Sequence, residues 1–567
     1  MNSTRPLWVQ SDGTVLLDGR HPDYEETRDF LREIAELQKR PGEWHTYRLT
    51  QVSLWNAAAA GRDCEYVIRQ LTELARNEIP RRLEEEIRSQ MSRYGQLRLS
   101  FSDGGLTLAA ESAELMAMVC GWETVSSVFA SPPRETSVVI HEGSRGWIKR
   151  ELAARGYPVK DDAGFHAGES LEVAFREVSV LGKPIHLRDY QADAVKALLG
   201  DGRHDGGSGV IVLPCGAGKT WVGMAAIARL KVETLILTSN GVSVSQWITE
   251  LLRNTTLSED EVGEYTGHKK NVKPITVATY QVLTHRRSKD EEYPHLQLFV
   301  NRDWGLIIYD EVHLLPAPVF RMTAEIQATR RLGLTATLVR EDGREGDAFA
   351  LIGPKRYEIP WKAMEEKGWI AQAACTEVRV PLDPDTAITY ANAPKRSRHR
   401  IAGENPRKAE VVKSLLERHS GLQTLIIGQY LDQLRELSRE LSLPLITGEM
   451  PHRSRKQWFD RFNEGEIDVL LVSKVANFAV DLPNASVAIQ VSGSYGSRQE
   501  EAQRLGRIMR PKRSGGGATF YSVVSEGTDE VEFARNRGRF LLEQGYPYEV
   551  DTWESLEKSV SSEEAKP

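Results

Sequence analysis

The chain has 567 residues, which at about 150 per domain predicts three or four domains. Hydrophobic residues make up 40% and charged residues 27%, a globular composition that excludes a mainly disordered or fibrous chain. The 73 Lys and Arg stand against 80 Asp and Glu, net −7, so a uniformly basic nucleic-acid binder is excluded and any such partner must meet local basic patches. Cys64, Cys120, Cys215 and Cys375 are too scattered for a disulfide framework or a zinc cluster, which fits a reducing cytoplasm. The opening residues lack the apolar core of a signal peptide, and no apolar run is long enough to span a bilayer, so no membrane role is expected.

Residues 1–115 read as a small α+β accessory domain. SLWNAAAA, YVIRQLTELARNEI and RRLEEEIRSQMSRY carry apolar residues at helical spacing, interrupted by Gly61 and Pro80, and GQLRLSF with GGLTLAA reads as a hairpin. Residues 116–182 alternate the short apolar runs SSVFA, TSVVIH and LEVAFREV with one helix, RGWIKRELAARG. From Leu187 the texture changes. Strand-like runs GVIVLP, TLILTS, ITVATY, GLIIYD and RLGLTAT alternate with helical periods, the signature of βαβ units in a parallel sheet. After a charged interval the pattern restarts with QTLIIG, LPLITG, DVLLVS, VAIQVS and ATFYSVVS. The fold class is therefore α/β, with tandem lobes at 183–374 and 409–550, an interval at 375–408 and a polar tail at 551–567.

In GVIVLPCGAGKTWVGMAA, a strand from Val210 runs into Pro214, Cys215, Gly216, Ala217 and Gly218, and a helix follows. Glycines let consecutive N–H groups turn toward phosphate oxygens, and a helix N-terminus adds positive potential. Lys219 would reach the β/γ-phosphates and Thr220 would hold Mg²⁺. The pattern GxxxxGK(S/T) asks for Gly at 213, where this chain has Leu. Farther on, GLIIYDEVH delivers Asp310 and Glu311 at the carboxyl end of a buried strand, where open parallel sheets bind ligands. Asp310 suits a carboxylate that grips Mg²⁺, Glu311 suits the base that orients water, and His313 would link the γ-phosphate site to its surroundings.

LRDYQADAV, ahead of the phosphate loop, supplies Arg188 and Gln191; the Gln amide can pair with the N6/N7 edge of adenine and so select ATP. In QEEAQRLGRIMRPK, Gln503, Arg507 and Arg510 fall on one helix face, as arginine fingers reaching across a cleft to the γ-phosphate require. Phosphate loop, carboxylates and arginines divided between two lobes predict an ATP-driven motor rather than a nucleotide-gated scaffold.

Together, LRDYQ, LPCGAGKT, DEVH, LTATLVRED and QRLGRIMR resemble a superfamily 2 helicase of the xeroderma pigmentosum group B (XPB) family. Arg340, Glu341 and Asp342 match that family's RED motif, and SKVANFAVDLPNASVAIQVS resembles its motif V region, with Ala479 before Asp481 where many superfamily 2 enzymes have Gly. YRLTQVSLWNAAAAG and IRSQMSRYGQLRL are similar to the N-terminal domain of prokaryotic members, so the resemblance covers nearly the whole chain. It implies two RecA-like lobes forming an ATP- and Mg²⁺-dependent 3′–5′ DNA motor in DNA repair, a damage-recognition-like domain at 116–182 and a thumb-like basic insertion at 375–408. Thr335 and Thr337 inherit coupling of hydrolysis to lobe movement; Arg340, Glu341 and Asp342 inherit unwinding, and Asp481 inherits coupling through motif V.

DNA contacts should be concentrated, given the acidic total. The basic cluster Lys395, Arg396, Arg398, His399 and Arg400, followed by Arg407 and Lys408, offers sequence-independent phosphate contacts. Ser243, Ser245, Gln246 and Trp247 in SVSQW, and Thr279, Tyr280 and Gln281 in ATYQ, stand where family members touch the backbone, with Trp247 reading equally as core. Single-strand/duplex junctions are the expected substrate. A double-strand translocase that melts DNA locally is the rival within the same chemistry, and an RNA helicase is another; the resemblance implies a partner endonuclease, with which many prokaryotic relatives are associated, and the sequence itself shows no nuclease metal cluster.

Overall fold

The computed structural model describes residues 5–39, 44–102, 104–200, 206–214, 216–286, 293–327, 329–336, 345–359, 361–473, 485–493, 517–543, 546 and 548–555. The chain divides into two compact units, Met1–Leu213 with Gly218–Glu358, and Ile359–Pro567 with Pro214–Ala217.

The first unit opens on four short strands, β1 (Leu7–Val9), β2 (Thr14–Asp18), β3 (Glu36–Lys39) and β4 (Trp44–Arg48), in the antiparallel order β1-β2-β4-β3. Helices Gln51–Ala59, Cys64–Leu74 and Arg81–Arg93 follow, as the apolar spacing predicts; Thr50 and Ser53 cap the first reciprocally, and Pro80 stands at the start of the last. The hairpin of β5 (Leu97–Ser102) and β6 (Gly105–Ala110) does not close this domain as the sequence suggests. It pairs with β7 (Ser137–Val139) and β8 (Val159–Asp161) in the order β7-β6-β5-β8, so the boundary read at 115 falls before Leu97. The apolar run Leu171–Val178 forms no strand; it makes isolated bridges, Phe175 with Thr255 and Val178 with Pro184, and Ser170 just ahead of it bridges Val232.

The helix Arg145–Ala154 packs this small sheet onto the α/β lobe. Gly146 makes the approach possible, because a Cβ there would lie 2.2 Å from the Ala324 carbonyl oxygen. The lobe is a seven-stranded sheet of β9 (Ser208–Val212), β10 (Thr234–Thr238), β11 (Val262–Tyr265), β12 (Ile275–Thr279), β13 (Leu306–Asp310), β14 (Arg330–Thr335) and β15 (Lys355–Glu358). The order β11-β12-β10-β13-β14-β9-β15 is parallel throughout. Because helices cover both faces, β9, β10 and β12 are buried along their whole length, which is why they read as continuous apolar runs. β9 and β13 flank β14, so the loop after β9 and the acids ending β13 open on the same edge of the sheet.

The second unit repeats the plan with β16 (Ala373–Val380), β17 (Thr424–Gly428), β18 (Leu445–Ile446), β19 (Val469–Ser473), β20 (Val487–Gln490), β21 (Ala518–Ser525) and β22 (Tyr548–Thr552). Its parallel order is β18-β19-β17-β20-β21-β16-β22. β16 lies between β21 and β22, so the first residues of the interval read at 375–408 belong to the sheet and the remainder forms helices Pro384–Asn392 and Lys395–Gly403. Two parallel seven-stranded lobes are the α/β architecture that the repeated strand pattern predicts.

Candidate active site

β9 ends where the Leu213 N–H donates to the Thr335 carbonyl at 2.9 Å, tying the phosphate loop's first residue to the end of β14. Beyond it Gly216 (φ 82°) and Gly218 (φ 78°, ψ 46°) adopt the left-handed conformation that glycine takes without cost. Gly218 is doubly constrained: a Cβ would lie 2.6 Å from Gln191 Nε2. It starts the helix Lys219–Leu230, which puts Lys219 and Thr220 in the first turn, where backbone N–H groups and the helix dipole favour an anion.

Lys219 Nζ lies 3.0 Å from Glu311 Oε1, with side chains only 12% and 16% exposed. Glu311 itself is left-handed at φ 54°, a strained position for a residue with a side chain, costing about 1–3 kcal/mol. Such strain concentrates at functional sites, and here it turns the carboxylate back over the end of the sheet. Its Oε2 is buried without a hydrogen bond and stands 3.5 Å from His313 Nδ1. His313 Nδ1 is hydrogen-bonded to Thr335 Oγ1 at 2.9 Å, joining the acidic turn to β14. Asp310 Oδ2 accepts from Trp247 Nε1 at 2.9 Å, and the Asp310 carbonyl accepts from the Tyr280 hydroxyl at 3.0 Å.

The two carboxyls are driven apart. Burial, then the adjoining Glu311 charge, push Asp310 above the usual carboxylate range. Burial also acts upward on Glu311, but the Lys219 ammonium and His313 overcome it and hold this carboxyl below its ordinary value. Adjacent buried carboxylates with one lysine between them, one oxygen unpartnered and a glycine cradle alongside form a donor set suited to a triphosphate with a divalent cation.

The structure thus brings Gln191, Gly218, Lys219, Asp310, Glu311, His313 and Thr335 to one end of one sheet. Gln191 is turned inward: its Oε1 accepts the Arg188 N–H at 3.0 Å and its Nε2 lies against Gly218. Arg188 Nη1 donates to the Tyr190 hydroxyl at 3.3 Å, and Thr220 is half-buried. Cys215, Thr337, Arg340, Glu341, Asp342, Asp481, Gln503, Arg507 and Arg510 lie outside the described residues.

Among the expected DNA contacts, Ser245 and Gln246 are exposed, as are Gln281, Lys395, Arg396 and Arg400. Arg400 is engaged by Glu404 and Asp432, and Arg398 by the carbonyls of Ala393 and Ala391. Others are buried in this structure. Thr279 is buried and caps the helix Tyr280–Leu283, Tyr280 is buried on Asp310, His399 is buried on Tyr430, and Lys408 is a buried partner of Glu530 at 2.8 Å. Trp247 and Tyr280, named in the sequence as candidate DNA contacts, meet Asp310 instead, a contact that only the fold brings about.

Three family models match the chain: the ERCC3/RAD25/XPB C-terminal helicase over residues 364–565, the helicase conserved C-terminal domain over 7–130, and the type III restriction enzyme res subunit over 184–340. The chain is 49% identical over 556 residues to the DNA 3′-5′ helicase XPB of Kineococcus radiotolerans, covering 98% of each protein. It is 50% identical over 544 residues to the DNA 3′-5′ helicase XPB of Mycobacterium tuberculosis, covering 96% of this chain and 97% of that one. A more distant relative, the general transcription and DNA repair factor IIH helicase/translocase subunit XPB/SSL2 of Saccharomyces cerevisiae, is 30% identical over 619 residues, covering 97% of this chain and 72% of that protein. Half-identity across almost the full length of two bacterial helicases, on a chain whose phosphate loop and acidic pair meet at one sheet edge, shows that it belongs to the XPB family of superfamily 2 DNA helicases.

Proposed function

We propose that in this ATP-dependent DNA helicase Lys219 and Glu311 are a reciprocal pair, each holding the other's charge until ATP separates them. The observation that carries this reading is the 3.0 Å contact between Lys219 Nζ and Glu311 Oε1 beside Asp310. The phosphate oxygens of ATP compete for Lys219 and for the N–H groups of the loop ending at Gly218. Lys219 then moves to the phosphates, and Glu311 is left as a buried carboxylate without its cation, able to accept a proton from the attacking water. Thr220 and Asp310 are the side chains that would hold Mg²⁺, which supplies charge neutralisation on the phosphates when bound.

Arg507, Arg510 and Gln503 complete the site from the second lobe in this proposal. His313 and Thr335 carry the change at Glu311 to β14, and on to Thr337, Arg340, Glu341, Asp342 and Asp481. The work is 3′–5′ movement on DNA at single-strand/duplex junctions in repair, the polarity matching the names of the two bacterial relatives. A nuclease partner would complete a repair step that needs strand incision. Among the described residues Cys64 and Cys120 are free thiols, which suits a reducing cytoplasm.

Glu311→Gln tests the assignment. Binding of a fluorescent ATP analogue should persist, while DNA-stimulated hydrolysis falls roughly 10²–10⁴-fold, the range for loss of a general base; turnover within a few-fold of the parent enzyme would refute it. Local melting by a double-strand translocase is the second reading, favoured by the word translocase in the yeast relative's name. Strand displacement without triplex displacement supports unwinding, and the reverse supports translocation.

A further inference from the structure

Two segments read as DNA contacts, SVSQW and ATYQ, each send an aromatic side chain inward to the same acid. Trp247 is 1% exposed and its Nε1 donates to Asp310 Oδ2 at 2.9 Å. Tyr280 is 3% exposed and its hydroxyl donates to the Asp310 carbonyl at 3.0 Å. Asp310 is thereby held by side chain and by main chain, from two different elements.

Both aromatics are rooted beside residues that face solvent. In the helix Gly241–Asn254, Trp247 directly follows exposed Ser245 and Gln246. Tyr280 opens the helix Tyr280–Leu283 beside exposed Gln281, whose amide bonds the Ser239 carbonyl just ahead of the first helix. The two helices are thus fastened to each other as well as to Asp310. A third connection runs to the phosphate loop's own helix: the indole fills a niche over Gly223, where a Cβ would stand 2.4 Å from Trp247 Cη2. A buried indole N–H seeks an acceptor, and a carboxylate is the strongest available. The bond fixes Oδ2 and with it the orientation of the Asp310 carboxylate.

We propose that Trp247 and Tyr280 are positioning residues that couple DNA engagement to Asp310: a shift of the helix Gly241–Asn254 on DNA moves the indole, and with it the carboxylate that grips the nucleotide's divalent cation. This rests on the reading of Asp310 as the Mg²⁺ carboxylate and of Ser245 and Gln246 as DNA contacts, and it makes the aromatics the mechanical link between them.

The test uses the full chain with Trp247→Phe, which keeps an aromatic ring but removes the N–H, and Tyr280→Phe, which removes only a hydroxyl. Mg²⁺ is titrated against binding of a fluorescent ATP analogue, DNA affinity is measured separately, and thermal unfolding monitors the fold. Trp247→Phe should raise the Mg²⁺ concentration at half-saturation about tenfold, the scale of one lost charge-assisted hydrogen bond, and lower the ratio of DNA-stimulated to unstimulated ATPase by a similar factor. Tyr280→Phe should move both readouts the same way by about threefold, the scale of a neutral hydrogen bond, with DNA affinity unchanged in both variants. Parental Mg²⁺ half-saturation in folded Trp247→Phe and Tyr280→Phe overturns the proposal; should Trp247→Phe unfold, Tyr280→Phe decides alone. Ser245→Ala with Gln246→Ala separates the underlying reading, because undiminished DNA affinity in that double variant removes this helix from the DNA interface whatever the Mg²⁺ titration shows.

Discussion

Gly223 carries more of the active site than its lack of a side chain suggests. It lies in the helix after the phosphate loop, where glycine costs about 1 kcal/mol relative to Ala, so an exposed position would gain from substitution. Its niche holds the Trp247 ring, whose other end is fixed to Asp310. The two effects have opposite signs, and packing should win. Gly223→Ala is expected to destabilise the first unit by about 1–3 kcal/mol, the usual cost of overpacking, with a shift in tryptophan emission; a rise in unfolding midpoint would mean that the indole has room to move. No sequence pattern announces this arrangement. Lys219 was legible from the glycine loop that leads into its helix, and Asp310 and Glu311 because acids at the end of an apolar strand are conspicuous. Trp247 was not, since its acceptor lies in a separate strand and only the fold brings them together.

The helix Arg145–Ala154 shows how an element can be attached by charge as well as by apolar contact, such as that of Ala153 in the cluster of Trp55, Phe349 and Ala350. Arg145 and Lys149 both meet Asp161, each at 2.8 Å, and Lys149 also donates to Gln327 Oε1 at 2.9 Å. Burial raises the Asp161 carboxyl, but Lys149 and Arg145 outweigh it and hold the group far below the usual carboxylate range. A depressed carboxyl contributes stability that is full above its unfolded value near 3.8 and is lost progressively below it, as pH falls toward the much lower folded value. Lys149 has the opposite sign: burial lowers it to about 8, so it opposes folding below that pH and is relieved on the alkaline side. Asp161→Asn should therefore cost about 3–5 kcal/mol at neutral pH, the penalty for stranding buried cations, and flatten the loss of stability below pH 4. An acid-unfolding profile parallel to that of the parent protein would remove Asp161 from this role. The helix itself was legible from its spacing, whereas its docking was not, because Gln327 lies 178 residues farther along the chain than Lys149.

For the molecule as a whole, parallel strands buried on both faces announced the two lobes, while β8, β15 and β22 were too short or too polar to stand out from loops. The same limit governs charge. A run such as Lys395 to Lys408 looks uniform in sequence, yet the fold sorts it into exposed Lys395 and Arg396 and a buried Lys408 bonded to Glu530 and to the Val491 carbonyl. In a chain of net charge −7, this sorting decides which cations DNA can meet. Phosphate contacts release counterions, so each one lost from single-stranded DNA lowers the slope of log affinity against log salt by about 0.7. Lys395→Ala with Arg396→Ala should reduce that slope by about 1.4 if both touch phosphate, and leave the unfolding midpoint near that of the parent. Lys408→Ala should do the reverse, keeping the slope and losing about 3–5 kcal/mol because Glu530 is left buried without its cation. A reduced slope in a stable Lys408→Ala protein would show that the buried pair opens on DNA, and would return this lysine to the interface that its neighbours in the chain suggest.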